Sequence, residues 1–117
     1  MNIEEIRDYC LSKEFVDEGF PFDNDTLVFK VMSKMFLLIS LKDSNHFNVK
    51  CDPERAVELR EQFPEVVAGW HMNKKMWNTV YTDGSLNRKQ IIEMIDHSYD
   101  EVVKGLPKKS QALFKKS

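Results

Sequence analysis

Apolar residues recur along the chain at two spacings, one typical of amphipathic helices and one typical of half-buried strands. Three segments have the helical spacing, and each follows a residue that favours the helix N-cap position, namely Asn2, Asp52 and Asn87. Their apolar stripes are Ile3, Ile6, Cys10 and Leu11, then Ala56, Leu59 and Phe63, then Ile91, Ile95, Tyr99 and Val102. The sequence therefore predicts three helices.

Alternating apolar and polar positions predict five strands between these helices. The strands are centred on Leu27, Phe29 and Val31; on residues 34–41; on Phe47, Val49 and Cys51; on residues 66–68; and on residues 77–81. Only Met32 and Ser33 separate the first two strands, which predicts a tight hairpin. We expect this hairpin to place Lys30 and Lys34 close together near its tip.

The predicted order of elements is α-β-β-β-α-β-β-α, with an extra short strand before residue 22. Short links between strands favour an antiparallel sheet, and the helices must bury their stripes against it. The sequence therefore predicts a two-layer α+β fold in a single domain that spans residues 1–117. Residues 108–117 are predicted to form a basic, frayed tail, because Gly105 and Pro107 end the last helix.

Length and composition match a single globular domain in the cytoplasm. The chain has 117 residues, and its longest apolar run, residues 35–39, is far too short to cross a bilayer. The N-terminus lacks the apolar region of a secretory signal. Cys10 and Cys51 belong to no CxxC motif, so buried thiols are favoured over a disulfide bond.

The net charge of −2 hides a separation of charge along the chain. Residues 1–29 hold eight acids and two bases, whereas residues 30–50 hold four lysines and one acid. Residues 66–80 hold two lysines and residues 102–117 hold five, and neither segment has an acid. If these three basic segments meet in the fold, one surface is positive although the whole molecule is acidic.

The connection between the last two predicted strands has the densest group of side chains suited to a nucleic acid. Residues 70–77 contain two tryptophans, one histidine and two lysines, but no acid. Lysines contact phosphates as point charges and carry no sequence information. Trp70 is the candidate for an exposed aromatic ring, whereas Trp77 fits the core or the sheet surface.

The sequence contains no pattern that favours an enzyme, a metal site or a cofactor. His46, His71 and His97 are isolated and form no HxxxH spacing for a metal. The chain has only four glycines and neither a GxSxG motif nor a phosphate-binding glycine loop. We therefore expect a non-enzymatic protein.

Motifs over nearly the whole chain resemble those of the MmcQ/YjbR family and occur in the same order. They are Phe20-Pro21-Phe22-Asp23, Phe29-Lys30-Val31, Lys34-Met35-Phe36, Lys50-Cys51-Asp52-Pro53-Glu54, His71-Met72-Asn73-Lys74-Lys75, Trp77-Asn78, Ser98-Tyr99 and Leu106-Pro107-Lys108-Lys109. The resemblance implies a small cytosolic α+β protein similar to frataxin-like or secretion-chaperone-like domains, and it implies DNA binding. One difference is the dipeptide Met32-Ser33, where the family usually has glycine.

Charge pattern and resemblance together predict a monomer that binds the phosphate backbone of double-stranded DNA with little sequence preference. The predicted contact residues are Lys30, Lys34, Trp70, His71, Asn73, Lys74 and Lys75. Convergence of the lysines on one face of the fold would favour this hypothesis.

Two other hypotheses come from the acidic and aromatic N-terminal region. In the first, the protein is an interaction or chaperone-like module that binds a protein partner through the first helix and residues 15–22. In the second, Glu4, Glu5 and Asp8 form a cation-binding surface of the frataxin kind. Dispersed lysines beside an exposed apolar groove would favour the protein partner, and clustered carboxylates would favour the cation.

Overall fold

The computed structural model describes residues 1–69 and 72–115. Its elements are α1 (Ile3–Leu11), β1 (Val16–Gly19), β2 (Thr26–Val31), β3 (Lys34–Ser40), β4 (His46–Lys50), α2 (Pro53–Gln62), β5 (Val66–Ala68), β6 (Trp77–Tyr81), α3 (Arg88–Lys104) and α4 (Lys108–Gln111). The predicted α+β fold and order of elements are confirmed, and β1 is the extra short strand. The tail prediction is wrong for residues 108–111, which form α4 instead of fraying. No helix in the described part of the chain is long and apolar enough to cross a membrane.

The six strands form one antiparallel sheet with the order β1-β2-β3-β4-β6-β5. This order brings three connections to the same end of the sheet: the β2–β3 turn, the β4–α2 junction and the β5–β6 connection. We call this end the hairpin end. The β3–β4 turn and the β6–α3 connection lie at the opposite end.

The main core lies between the helices and one face of the sheet. Ile6 of α1 and Ile95 of α3 are buried there against Phe29, Leu37 and Phe47 of the strands. Leu59 and Phe63, from α2 and its C-cap, pack against the same cluster, so the three long helices cover the same face. We call the other face, on which no described helix packs, the open face.

The helix ends form as the sequence predicts. Asn2 with Glu5, and Asn87 with Gln90, make complete capping boxes in which each side chain accepts from the other residue's backbone N–H. The Asp52 side chain caps α2.

Both cysteines are free and buried, which confirms the expectation of thiols.

The side chain of Ser98, in α3, links strands β3 and β4 at the point where their ladder stops. The β2–β3 register places Phe29 opposite Leu37 and Lys30 opposite Met35, so Phe36 is the extra residue of a β-bulge. The Ser98 hydroxyl, which is fully buried, donates to the carbonyl of Phe36. The same hydroxyl accepts from the backbone N–H of Lys50 at 2.9 Å. Ser98 therefore joins β3 to β4 where their ladder stops.

The β2–β3 hairpin turns on two residues in left-handed conformations. Met32 has φ 46° and Ser33 has φ 69°, the signs of a type I′ turn. This turn matches the twist of a hairpin but favours glycine or asparagine, because other side chains crowd the backbone in this region. The Met32-Ser33 dipeptide therefore makes the predicted tight hairpin at a cost in backbone strain.

We predict that Ser98→Ala lowers the free energy of unfolding by about 2–4 kcal/mol, because it leaves a buried C=O and a buried N–H without their partner. Urea unfolding monitored by tryptophan fluorescence measures the change. Ser44→Ala, at an exposed serine in the β3–β4 turn, is the control and should change stability by less than about 0.5 kcal/mol. Equal effects of the two substitutions would contradict the bridging role.

We predict that Ser33→Gly raises the free energy of unfolding by about 0.5–1 kcal/mol. Glycine removes the strain of a left-handed residue, and its greater freedom in the unfolded chain offsets part of that gain. The same urea titration measures it. Ser44→Gly, where φ is not positive, should give no gain, and a loss of stability in Ser33→Gly would show that the turn is unstrained.

Candidate nucleic-acid interface

The predicted lysines lie at one end of the molecule. Lys30 and Lys34 flank the β2–β3 turn, and Lys74 and Lys75 belong to the β5–β6 connection, all at the hairpin end. Lys50 ends β4 there and is paired in the ladder with Trp77. Topology thus brings together two of the three basic segments of the sequence.

Lys30 and Lys34 flank the hairpin turn, as expected, but they lie on opposite faces of the sheet. Lys30 is paired with Met35, whereas Lys34 is paired with the core residue Val31. Because neighbouring residues of a strand point to opposite faces, Lys30 projects from the open face and Lys34 from the helix-covered face. The lysines therefore surround the hairpin end from both sides instead of sharing one flat face.

Two anchors hold the basic connection that carries Lys74 and Lys75. On one side, Met72 packs against a small apolar cluster of the open face, formed by Val28, Leu38 and Trp77. On the other side, the guanidinium Nη1 of Arg60, in the last turn of α2, donates to the carbonyl of Lys74 at 3.0 Å. The connection is held between the two layers while Lys74 and Lys75 stay exposed.

Asn73 accepts hydrogen bonds from other residues of the β5–β6 connection. Its side-chain Oδ1 accepts the backbone N–H of Lys75 at 3.0 Å, and its carbonyl accepts the N–H of Met76 at 3.1 Å. This is the local hydrogen bonding typical of an Asx-turn. The structure supports a turn-forming role for Asn73, and the side-chain oxygen that could read a base edge is already engaged.

Trp77 lies in the sheet, as its alternation with Thr79 indicated. It is 8% exposed, and its position leaves room for only a glycine at residue 69. A Cβ added to Gly69 would lie 2.9 Å from the Cβ of Trp77, and the Gly69 N–H donates to the Trp77 carbonyl at 2.9 Å. Gly69 therefore lets the chain leave β5 in contact with β6. Trp70 and His71, which the sequence also proposed, lie outside the described residues.

The side chains of Cys51 and His97, beneath the hairpin end, are buried or hydrogen-bonded within the fold. Burial raises the pKa of the Cys51 thiol to about 11, so it is protonated at neutral pH. Burial also lowers the pKa of His97, whose Nε2 accepts the backbone N–H of Asp52 at 3.1 Å. The cavity that Cys51, His97 and Asn78 help to line has a volume of about 10 Å³, room for one water at most.

The helical spacing argues against a catalytic triad of His97, Ser98 and Asp100, and their contacts agree with this. His97 bonds to the α2 cap and Ser98 to β3 and β4, so their side chains serve different contacts. Within residues 1–69 and 72–115, no group of three or more His, Cys, Asp and Glu side chains is placed to hold a metal ion. The structure therefore adds no support to the cation hypothesis built on Glu4, Glu5 and Asp8.

Charges of both signs lie at each end of the molecule, and an acidic cleft lies opposite the hairpin end. The first turn of α1, with Glu4, lines a shallow cleft with Asn45 and Asp83, which belong to the opposite end of the sheet. Glu5 lies in the same turn and pairs with Arg88. One acid, Asp17, lies close to the lysines of the open face, since it is paired across the ladder with Lys30.

Sequence reasoning missed both anchors of the basic connection. Arg60 looked like one more charge on α2, and its contact with residue 74 spans 14 positions that no local pattern links. Met72 carried only a weak signal, because the connection also contains the apolar residues Trp70 and Met76. Its packing on the open face is visible only in the structure.

Comparison with known proteins agrees with this architecture. A model of the YjbR family matches residues 11–101. The Escherichia coli K12 protein YjbR is 33% identical over 114 residues, which cover 97% of each chain. The protein YbdF of Escherichia coli O157:H7 is 33% identical over 109 residues, which cover 92% of this chain and 89% of YbdF.

Solved structures with the same fold come from other bacteria. The crystal structure of the Deinococcus radiodurans protein DR2400 aligns with a TM-score of 0.83 and 38% identity, covering 89% of this chain and 80% of that one. A crystal structure from Pseudomonas syringae aligns with a TM-score of 0.72 and 27% identity, covering 86% of this chain and 98% of that one. With the family match over most of its length, the chain belongs to the YjbR family.

Proposed function

We propose that this protein binds double-stranded DNA through the hairpin end, contacts the phosphate backbone with little sequence preference, and catalyses no reaction. The observation that carries the proposal is the anchored basic connection. Met72 and Arg60 hold it from the two layers, and it presents Lys74 and Lys75 to solvent at the end where Lys30, Lys34 and Lys50 also lie.

The spacing of the lysines suits a nucleic-acid backbone. Lys30 and Lys50 lie on strands that are two spacings apart, about 10 Å. Successive base pairs rise about 3.4 Å, so this distance spans about three steps of a duplex. Lysines carry charge but no fixed hydrogen-bond geometry, so contacts of this kind give affinity without sequence readout.

The net charge of −2 is compatible with this proposal because five lysines cluster at the hairpin end, where they outnumber acids such as Asp17 and Asp52. Glu4, in the first turn of α1, and Asp83 lie at the opposite end, away from the basic connection. A local cluster of lysines attracts a polyanion to that end of the molecule, and salt weakens the attraction.

A protein partner remains the second candidate, favoured by one observation. Phe20 and Phe22, which follow the edge strand β1, are 48% and 63% exposed. Exposed aromatic rings beside a free strand edge suit a protein interface. This surface and the basic connection use different residues, so variants can separate the two functions.

We predict that the protein binds a labelled random duplex with a log–log salt slope of about −4, for about four phosphate contacts. Replacing two of these lysines with Lys74→Ala and Lys75→Ala should reduce the slope to about −2. Fluorescence anisotropy titrations between 50 and 200 mM salt measure it, and the wild-type affinity should fall about 250-fold across this range.

The matched control is Lys42→Ala with Lys89→Ala, which removes two lysines from the opposite end. This variant should keep the wild-type slope. If both double variants lose affinity equally, attraction is a matter of net charge and the hairpin end is not the site. If the wild-type protein does not bind at 50 mM salt, the proposal fails.

We also predict that Asp17→Asn strengthens duplex binding by about threefold to tenfold at 50 mM salt, because it removes the acid paired with Lys30 from the open face. The same titration measures the change. Asp43→Asn, in the exposed β3–β4 turn, makes the same change in net charge at the opposite end and should have little effect. Unchanged affinity in Asp17→Asn would exclude Lys30 from the contact surface.

A further inference from the structure

The chain after α3 folds back onto the body of the protein. The Gln111 side chain of α4 donates to the carbonyl of Leu106 at 2.8 Å and to that of Lys104 at 3.2 Å, which ties α4 to the end of α3. The ring of Phe114 is half-buried and packs on the main core. Residues 108–115 therefore form a docked segment, which we call the C-terminal arm.

The docking contacts are specific. The Phe114 ring meets the Phe15 ring edge to face at a centroid distance of 5.0 Å, and it meets the Tyr99 ring at 6.2 Å. Next to it, the backbone N–H of Lys115 donates to both carboxylate oxygens of Glu14 at 3.1 Å. Such paired edge-to-face contacts stabilise a packed arrangement beyond the burial of area.

The docking point lies at the hairpin end. Phe15, which Phe114 contacts, has a carbonyl that accepts the N–H of Met32 in the β2–β3 turn at 3.2 Å. Phe15 has φ 60°, a strained conformation for a bulky residue, and its ring is 48% exposed. A positive φ and an exposed ring are both unfavourable for a phenylalanine, so surrounding contacts must hold Phe15 in this conformation. The contact with the Phe114 ring is one of them.

The C-terminal arm lies on the side of the hairpin end that has the fewest lysines from the sheet. Lys34 projects towards the helix-covered face, whereas Lys30 and Lys50 belong to the open face. Lys108 and Lys109 are exposed on the arm, and Lys115 follows Phe114 on the helix-covered side. None of the ion pairs among the described residues involves these three lysines.

We propose that the C-terminal arm, docked through Phe114, is a second phosphate-binding arm of the same surface. It adds cations on the helix-covered side, the side towards which Lys34 projects, so that a duplex is held from both sides of the hairpin end. This inference rests on the proposed function, and it unites the third basic segment of the sequence with the other two.

Duplex titrations of three variants test the inference. Lys108→Gln with Lys115→Gln removes charge from the arm, and it should reduce the magnitude of the log–log salt slope by about 1–2 and weaken binding about tenfold or more at 50 mM salt. Phe114→Ala keeps every charge but releases the arm, and it should weaken binding in the same direction. Lys42→Gln with Lys89→Gln, at the opposite end, is the matched control and should keep the wild-type slope.

The outcomes separate this inference from the proposed function. If the wild type binds with a steep salt slope and all three variants keep that slope, the arm has no role in binding. The proposed function is not affected by that result. A loss in the lysine variant but not in Phe114→Ala would overturn docking as the means of positioning. Absence of wild-type binding at 50 mM salt would overturn both proposals. Equal urea midpoints for the wild type and the lysine variant establish that its loss of binding is not unfolding.

Discussion

The architecture of the hairpin end depends on one buried hydroxyl. Phe36 is a bulge residue of the β2–β3 ladder, and the β3–β4 ladder stops beside it, after Leu37 and Val49. The Ser98 hydroxyl joins the two strands there from the helix layer. Tyr99, the next residue, packs its ring on Phe36 at 5.5 Å and donates to the carbonyl of Glu14 at 2.7 Å. Two consecutive residues of α3 thus fix the sheet, the start of β1 and the position of Lys50, around which the proposed interface is built.

The proposed interface depends on the local arrangement of lysines and not on the net charge of the molecule. The antiparallel order directs three connections to one end, and two of them carry or adjoin the predicted lysines Lys30, Lys34, Lys74 and Lys75. The first turn of α1 is acidic, and its cleft with Asp83 lies at the other end. Local fields, not net charge, decide how such a molecule meets a polyanion, so an acidic protein can present a basic surface.

Much of the fold could be predicted from the sequence, because the apolar patterns and the helix caps are local signals. Asn2 and Asn87 marked their helices correctly, and the alternation around Phe47 marked a strand. The faces of Lys30 and Lys34 could not be predicted, because a strand register depends on a turn type and a bulge. The prediction of a frayed tail was wrong because it relied on the basic composition of residues 108–117. The composition does not show that Phe114 packs on Phe15, which is distant in sequence.

The measurement that tests the central claim most directly is a backbone amide NMR titration of the labelled protein with a short random duplex at low salt. The account predicts that shift changes concentrate at residues 30–34, at Lys50 and at residues 72–76, while residues 43–45 and 82–84 at the opposite end stay unchanged. Shift changes centred on residues 15–22 alone, or on the opposite end, would contradict it, and so would a spectrum that the duplex leaves unaltered.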